Sequence, residues 1–157
     1  MKDHATPSEP TSKARLRLWL RLLRVTRTME AEIRETLRRE HDTTLPRFDV
    51  MAALHRAPEG LKMSELSGQL RVSNGNVTGI IDRLVQDALV ERSAVPGDRR
   101  AMRVALTEQG RAAFTDLAMH HEAWIDDMLG GIEGERAEAM AESLRTIADR
   151  LDERTPE

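Results

Sequence analysis

The chain has 157 residues, about the length of one ordinary domain, and is long enough to bury a core without staples. Charged residues make up 32% and the nine hydrophobic types 39%, which fits a soluble globular protein. With no cysteine, disulfides, thiolate metal sites and thiol redox switches are excluded, and a reducing, cytoplasmic location is expected.

No apolar run reaches the length of a membrane span. Met1 to Ser12 hold two prolines and mixed charge but no apolar segment, so residues 1–12 read as a disordered tail rather than a signal peptide. The net charge of −3 is unevenly spread. Residues 1–45 hold ten Lys/Arg against seven Asp/Glu, residues 46–107 nine against seven, and residues 108–157 five against thirteen. An acidic last third beside a mildly basic remainder points to one face for a polyanion and another kept away from it.

From Lys13 to about Glu40 there is no proline or glycine. Leu16, Trp19, Leu20, Leu23, Thr26, Met29, Ile33 and Leu37 trace a broad helical stripe. A helix this long exceeds what a small core needs, so its apolar face must meet several partners, a second chain being one candidate. Residues 41–44 break it, and Pro46 starts a second helix carrying Phe48, Val50, Met51 and Leu54, which Pro58-Glu59-Gly60 ends. A short helix over 63–70 follows, with Met63, Leu66 and Leu70 inward. Arg71-Val72-Ser73 then turns into a helix over about 74–88. Ser73 is its natural N-cap, and Val72 with Val77 forms a hydrophobic staple. Val77, Ile80, Ile81, Leu84 and Val85 form its buried face, leaving Asn74, Asn76, Thr78, Gly79, Asp82 and Arg83 outside.

Over 89–106 the period changes from helical to alternating, which predicts a two-stranded hairpin with Pro96-Gly97-Asp98-Arg99-Arg100 at its tip. Thr107 caps a helix running toward Leu129, Gly130-Gly131 breaks the chain, and a last helix covers about 134–152. The predicted fold is mainly α: a winged helix-turn-helix over 46–107, flanked by long dimerisation helices over 13–45 and 108–157.

This order of elements carries a chemical expectation. A helix whose solvent face is Asn, Asn, Thr and Gly is slim enough for a major groove and carries amides that read base edges. Its N-terminal amides and the Ser73 hydroxyl suit a phosphate, and a hairpin tip with Arg99 and Arg100 reaches an adjacent minor groove. Polar caps and solvated turns are common taken singly; both in this order favour DNA.

Residues 64–111 also resemble the core of the MarR-type transcriptional regulators. The likeness lies in Ser64-Glu65-Leu66, Val72-Ser73 leading to Val77-Thr78, Asp82-Arg83-Leu84, Leu89-Val90-Glu91-Arg92, Asp98-Arg99-Arg100 and Leu106-Thr107-Glu108-Gln109-Gly110-Arg111. The resemblance implies a homodimer on a pseudo-palindromic double-stranded DNA operator, acting most often as a ligand-released repressor. Carried onto this chain, Ser73, Asn74, Asn76 and Thr78 would contact bases or phosphates and Arg83 the backbone. Asp98 would orient Arg100 by a salt bridge while Arg99 or Arg100 enters the minor groove. Lys62 stands where the short helix usually opens with Thr or Ser, which predicts a looser helix start.

The same resemblance implies a small effector, commonly an aromatic carboxylate, bound between the dimerisation helices and the winged domain. Trp19 with Arg15, Arg24, Arg27 and His55 would suit an aromatic anion. A lone Trp on an apolar stripe is more often core, and arginines on a long helix are more often solvated, so the bland reading leads for each residue singly. Residues 16–23, 44–49 and 73–79 look similar to a branch that regulates aromatic-acid breakdown and includes sensors of hydroxycinnamoyl-CoA thioesters. There the positive residues 15–27 would receive CoA phosphates. A metal sensor is an alternative, since Glu40-His41 and His120-His121 could approach each other. Neither cluster has a ligand partner four residues on, so no metal and no cofactor is expected. The sequence lacks a cysteine nucleophile, a Gly-x-Ser-x-Gly and a phosphate-binding glycine loop, so no catalysis is expected. A winged helix used only for protein contact is the remaining rival, and it has no need of Arg99 and Arg100.

Overall fold

The computed structural model describes residues 9–70 and 74–154. Six helices and three strands follow in chain order: α1 (Glu9–His41), α2 (Leu45–His55), β1 (Leu61–Lys62), α3 (Met63–Leu70), α4 (Asn74–Gln86), β2 (Val90–Val95), β3 (Asp98–Leu106), α5 (Glu108–Leu129) and α6 (Gly134–Asp152). The chain divides into two compact units, one ending at His121 and the other starting at Glu122.

Helix α1 begins at Glu9, four residues before the expected start at Lys13, so residues 9–12 are helical. Pro10 does not prevent this, because it falls in the first turn, where a backbone N–H has no helical partner anyway. The remainder of the expected tail, residues 1–8, lies outside the described residues. Only Ile33 and Leu37 of the predicted stripe are buried in the chain itself. Leu16, Trp19 and Leu20 are more than half exposed.

The core of the first unit gathers one face from each element. Leu37 of α1, Val50 and Leu54 of α2, Leu66 of α3, and Val77, Ile81 and Leu84 of α4 are fully buried. They pack with Val90 of β2 and Val104 and Leu106 of β3, and Phe114 and Leu117 of α5 close the cluster. Helix α2 starts as its sequence predicts: the Thr44 side chain accepts the Arg47 N–H, and Pro46 sits in the first turn.

The sheet departs from the expected hairpin by one strand. Its order is β1-β3-β2, all antiparallel, with Leu61 opposite Val104 and Lys62 opposite Arg103. Two residues are too few to show an alternating pattern, so β1 carries no periodic signal. Gly60 precedes it at φ +80, and a methyl group there would stand 2.5 Å from the Val104 carbonyl oxygen. The start of α3 is held, contrary to the looser start expected from Lys62. The Lys62 backbone N–H donates to Glu65 Oε2 at 2.7 Å, the half of a capping box that needs no hydroxyl at the cap.

The α4–β2 and β3–α5 junctions share one knot. Thr107 Oγ1 donates to the Ala88 carbonyl at 2.7 Å and accepts the Gly110 N–H at 2.9 Å. Thr107 thus caps α5, as predicted, and ties it to the chain just beyond α4. Gly110 is required at this knot, because a Cβ would come within 1.9 Å of the Leu89 carbonyl oxygen.

In the second unit, α6 has no buried residue, and Met140, Leu144, Ile147 and Leu151 form an exposed stripe at helical spacing. No described helix is long and apolar enough to cross a membrane.

Candidate nucleic-acid interface

Helix α4 presents three surfaces. Val77, Ile81 and Leu84 face the core. Gly75 and Gly79, on the side opposite by helical periodicity, form a bare crest, and a Cβ added at either would meet nothing within 4 Å. Asn76, Ile80 and Arg83 lie on one flank, beside α1 and α2, and Thr78 lies on the other, beside the wing. Asn76, Thr78 and Arg83 are exposed. Ser73 lies outside the described residues, and Asn74 is placed only as the first residue of α4.

Asp82 keeps about half of its side-chain surface exposed and is ion-paired there. Its carboxylate pairs with Arg92 of β2, which ties α4 to the wing. Just beyond the C-terminus of α4, Asp87 pairs with Arg47 of α2. The helix ends two residues before the expected 88, where Ala88 adopts φ +59 and the Leu89 N–H closes back on the Leu84 carbonyl at 2.9 Å.

In the wing, β2 and β3 pair from Val90–Leu106 to Ala94–Met102, with a bulge between Ala94 and Val95 before Val95 meets Asp98. Pro96 and Gly97 make the tip, Gly97 at φ +83 supplying the left-handed residue that a Pro-Gly turn needs. Asp98, Arg99 and Arg100 are therefore the first residues of β3 rather than part of the turn, and all three are exposed. The expected Asp98–Arg100 salt bridge is replaced by a backbone contact: the Arg100 N–H donates to Asp98 Oδ1 at 3.0 Å. A carboxylate two residues upstream reaches an amide at fixed distance more easily than a mobile guanidinium. Arg100 and Thr78 line the same open groove, of about 440 Å³, with Lys62 and Ser64 at the start of α3. Behind it, Arg103 Nη1 donates to the carbonyls of Glu59 at 3.0 Å and Gly60 at 3.3 Å, bracing the loop against β3.

Residues 43–102, the helix-turn-helix and the wing, match the model of the MarR family. Over 133 residues the chain is 27% identical to the HTH-type transcriptional regulator MhqR of Bacillus subtilis (strain 168), covering 84% of this chain and 90% of that one. The crystal structure of a MarR family transcriptional regulator from Silicibacter pomeroyi superposes with a TM-score of 0.74 at 29% identity, over 92% of this chain and 99% of that one. In its helix-turn-helix and wing, and in the order of its elements, the chain is similar to the MarR family of regulators. Its fold is the winged helix-turn-helix of MarR-type transcriptional regulators. It also shares its fold with BpsR of Bordetella bronchiseptica, a protein whose DNA binding is regulated by 6-hydroxynicotinic acid. The TM-score there is 0.72 at 24% identity, over 84% of this chain and 98% of that one.

Within this MarR-type fold, Arg15, Trp19, Arg24 and Arg27 are exposed on α1, Trp19 at 57%. His55 ends α2 with its ring centroid 4.8 Å from that of Phe114. The grooves beside α4 are lined by none of these five residues. The histidines at 41 and 120 do approach each other, ring centroids 4.9 Å apart, and His121 stacks on Phe48 at 4.7 Å. They take part in aromatic packing where α1, α2 and α5 meet. No group of three or more His, Asp or Glu placed to hold a metal occurs among the described residues.

Asp49 of α2 sits nearby. It keeps contact with solvent, but crowding by the surrounding protein removes enough water to hold its carboxyl above the ordinary carboxylate value. Arg34 and His121 oppose that effect and Glu30 adds to it. Sequence reasoning missed Arg34, Arg47 and Lys62 as groove-lining cations, because each lies outside the recognition helix and the wing. Their only sequence signal was the mild positive charge of the first two-thirds of the chain.

Proposed function

We propose that this regulator acts as a homodimer that represses transcription by occupying a pseudo-palindromic operator and leaves the DNA when a small effector binds. One observation carries the DNA-binding half: Thr78, on the wing-side flank of α4, and the wing arginine Arg100 open onto one groove together with Lys62 and Ser64. In this reading α4 enters the major groove, Asn74, Asn76 and Thr78 meet base edges or phosphates, and Ser73 and Arg83 hold the backbone. Asp98 fixes the start of β3 while Arg99 or Arg100 reaches the minor groove. Phosphate contacts of this kind make the affinity fall steeply with salt.

The dimer reading is supported by apolar surface left open on the single chain. Leu16, Trp19 and Leu20 on α1 and Leu144, Ile147 and Leu151 on α6 are each at least 41% exposed. Two such stripes on long helices are of the kind that a second copy covers. The helical regions 13–45 and 108–157 would then serve dimerisation and 46–107 DNA.

For the effector, the regulation of BpsR by 6-hydroxynicotinic acid supports an aromatic carboxylate, or an aryl-CoA thioester, and through it control of aromatic-compound breakdown. Arg15, Trp19, Arg24, Arg27 and His55 remain the proposed receiving surface. Release is then differential binding: the ligand favours a dimer geometry whose two recognition helices no longer match the operator. A mobility-shift titration against the DNA upstream of its own gene, with unrelated competitor present, tests the reading. A discrete complex that dissociates on adding an aromatic carboxylate is expected. A complex untouched by aromatic acids and their CoA thioesters would remove the effector half of the proposal.

A further inference from the structure

A helix seated in a major groove has a sugar-phosphate rim on each side, since the groove is about 12 Å wide and a helix with its side chains roughly 10–12 Å across. On the wing side of α4, Lys62 and Arg100 stand where one rim would pass. The opposite flank holds a larger groove, about 600 Å³, walled by three elements. Asn76 and Arg83 come from α4, Thr44 and Arg47 from the start of α2, and Arg34 from α1. Three guanidiniums line this groove and, among the described residues, no carboxylate does.

We propose that this groove is a second phosphate seat, in which Arg34, Thr44 and Arg47 join Arg83 in holding the DNA backbone on the rim opposite the wing. The proposal rests on the DNA-binding reading above and adds the scaffold helix α1 to the elements that touch DNA. Each group is suited to the task in a different way. Arg34 is paired with Glu30 one turn away, both side chains about half exposed at 55% and 45%. Exposed pairs of this kind are weak, and a guanidinium exchanges such a carboxylate for the bidentate oxygens of a phosphate. Asp49 also faces Arg34.

Arg47 is fixed rather than mobile. Its side chain is 19% exposed, one end pairs with Asp87, and its Nε is buried without a hydrogen-bond partner. The charge is thereby held beside α4 at no further ordering cost when DNA arrives. The Thr44 hydroxyl accepts the Arg47 N–H at 3.4 Å and keeps its own proton to donate. Because Arg34 belongs to the helix that continues into the exposed apolar stripe, a shift of α4 relative to α1 would part the two halves of the seat.

The test uses the full chain and a labelled 30-bp duplex of random sequence, since backbone contacts do not depend on sequence. Affinity is followed by fluorescence anisotropy across a sodium chloride series for wild type, Arg34→Gln, Glu30→Gln and, as a wing control, Arg100→Ala. Arg34→Gln is expected to weaken binding to all sequences alike and to lower the slope of log K against log[salt] by about one for each subunit. Glu30→Gln, which releases Arg34, is expected to tighten binding. Thermal melts of both variants report whether the fold is intact.

Unchanged affinity and slope for Arg34→Gln, beside a loss for Arg100→Ala, overturns the second seat and leaves the wing reading standing. No salt-dependent binding by the wild type overturns both. If Arg34→Gln leaves the duplex alone but abolishes competition by benzoate, the groove takes a small anion and not DNA, and the proposal fails.

Discussion

A methyl group at Gly110 would stand 1.9 Å from the Leu89 carbonyl oxygen, whereas one at Gly79 would meet nothing within 4 Å. The two glycines therefore answer to different demands. Gly110 lets the first turn of α5 lie against the end of the α4–β2 connection. Gly110→Ala is expected to destabilise the fold by about 2–3 kcal/mol or more, since the clash is with backbone that cannot move aside. Urea denaturation measures it, and a loss below about 0.5 kcal/mol would show that the knot relaxes. Gly79 lies mid-helix, where glycine costs about 1 kcal/mol relative to alanine. Gly79→Ala is expected to raise stability by about that amount and yet weaken DNA binding, because the crest of α4 must approach the base edges closely. A variant both more stable and equally tight on DNA would contradict that role.

Legibility at this scale followed the range of the partner. Thr107 was readable as a cap because its acceptor function is local. The partner of Gly110 lies 21 residues upstream, so the residue stood out only through the Leu-Thr-x-x-Gly-Arg likeness. Asp98 was misread for a third reason: from sequence, an acid two residues before an arginine has two donors in reach, the backbone amide and the guanidinium.

Among elements, the proposed DNA reading turns on the position of α4, which two ion pairs hold toward its C-terminal end. Asp82 pairs with Arg92 of β2, and Arg47 of α2 pairs with Asp87 beyond the helix. Because Asp82 and Arg92 keep 49% and 31% of their side-chain surfaces exposed, solvent screens the pair and it contributes about 0.5–1 kcal/mol. Asp82→Asn and Arg92→Gln are each expected to weaken DNA binding several-fold with little loss of stability. The double variant is expected to be no weaker than either single change, the sign of a shared interaction in a double-mutant cycle. Strict additivity of the two losses in binding free energy would separate their roles.

The sequence showed α3, α5 and α6 nearly residue for residue, because helical periodicity and caps are local signals. Asp82 read as an outward polar residue because its partner arrives from a strand ten residues on. Strand β1 escaped notice because its pairing with β3 spans more than forty residues.

At the scale of the molecule, α1 is 33 residues long, yet of its predicted apolar stripe only Ile33 and Leu37 are buried within the chain. The length of that stripe was legible, and so was its excess over the core of one chain. What covers it was not, since sequence periodicity marks a face and not its partner. The stripe on α6 is open in the same way, and Leu144 is 41% exposed there. Leu144→Glu is expected to leave helical content unchanged while shifting the chain from dimer to monomer in sedimentation velocity, and to weaken DNA binding through loss of the second half-site. A variant that stays dimeric would move the interface elsewhere.

In the proposed dimer, two copies of α4 and the wing read a two-fold-related DNA sequence. Selection of bound duplexes from a random pool by the purified chain puts this to the test. The expected result is enrichment of a pseudo-palindrome whose half-sites lie about 10 bp apart, centre to centre, and whose retention is lost with Arg100→Ala. A pool that stays random through successive rounds, with wild type and Arg100→Ala indistinguishable, would contradict it.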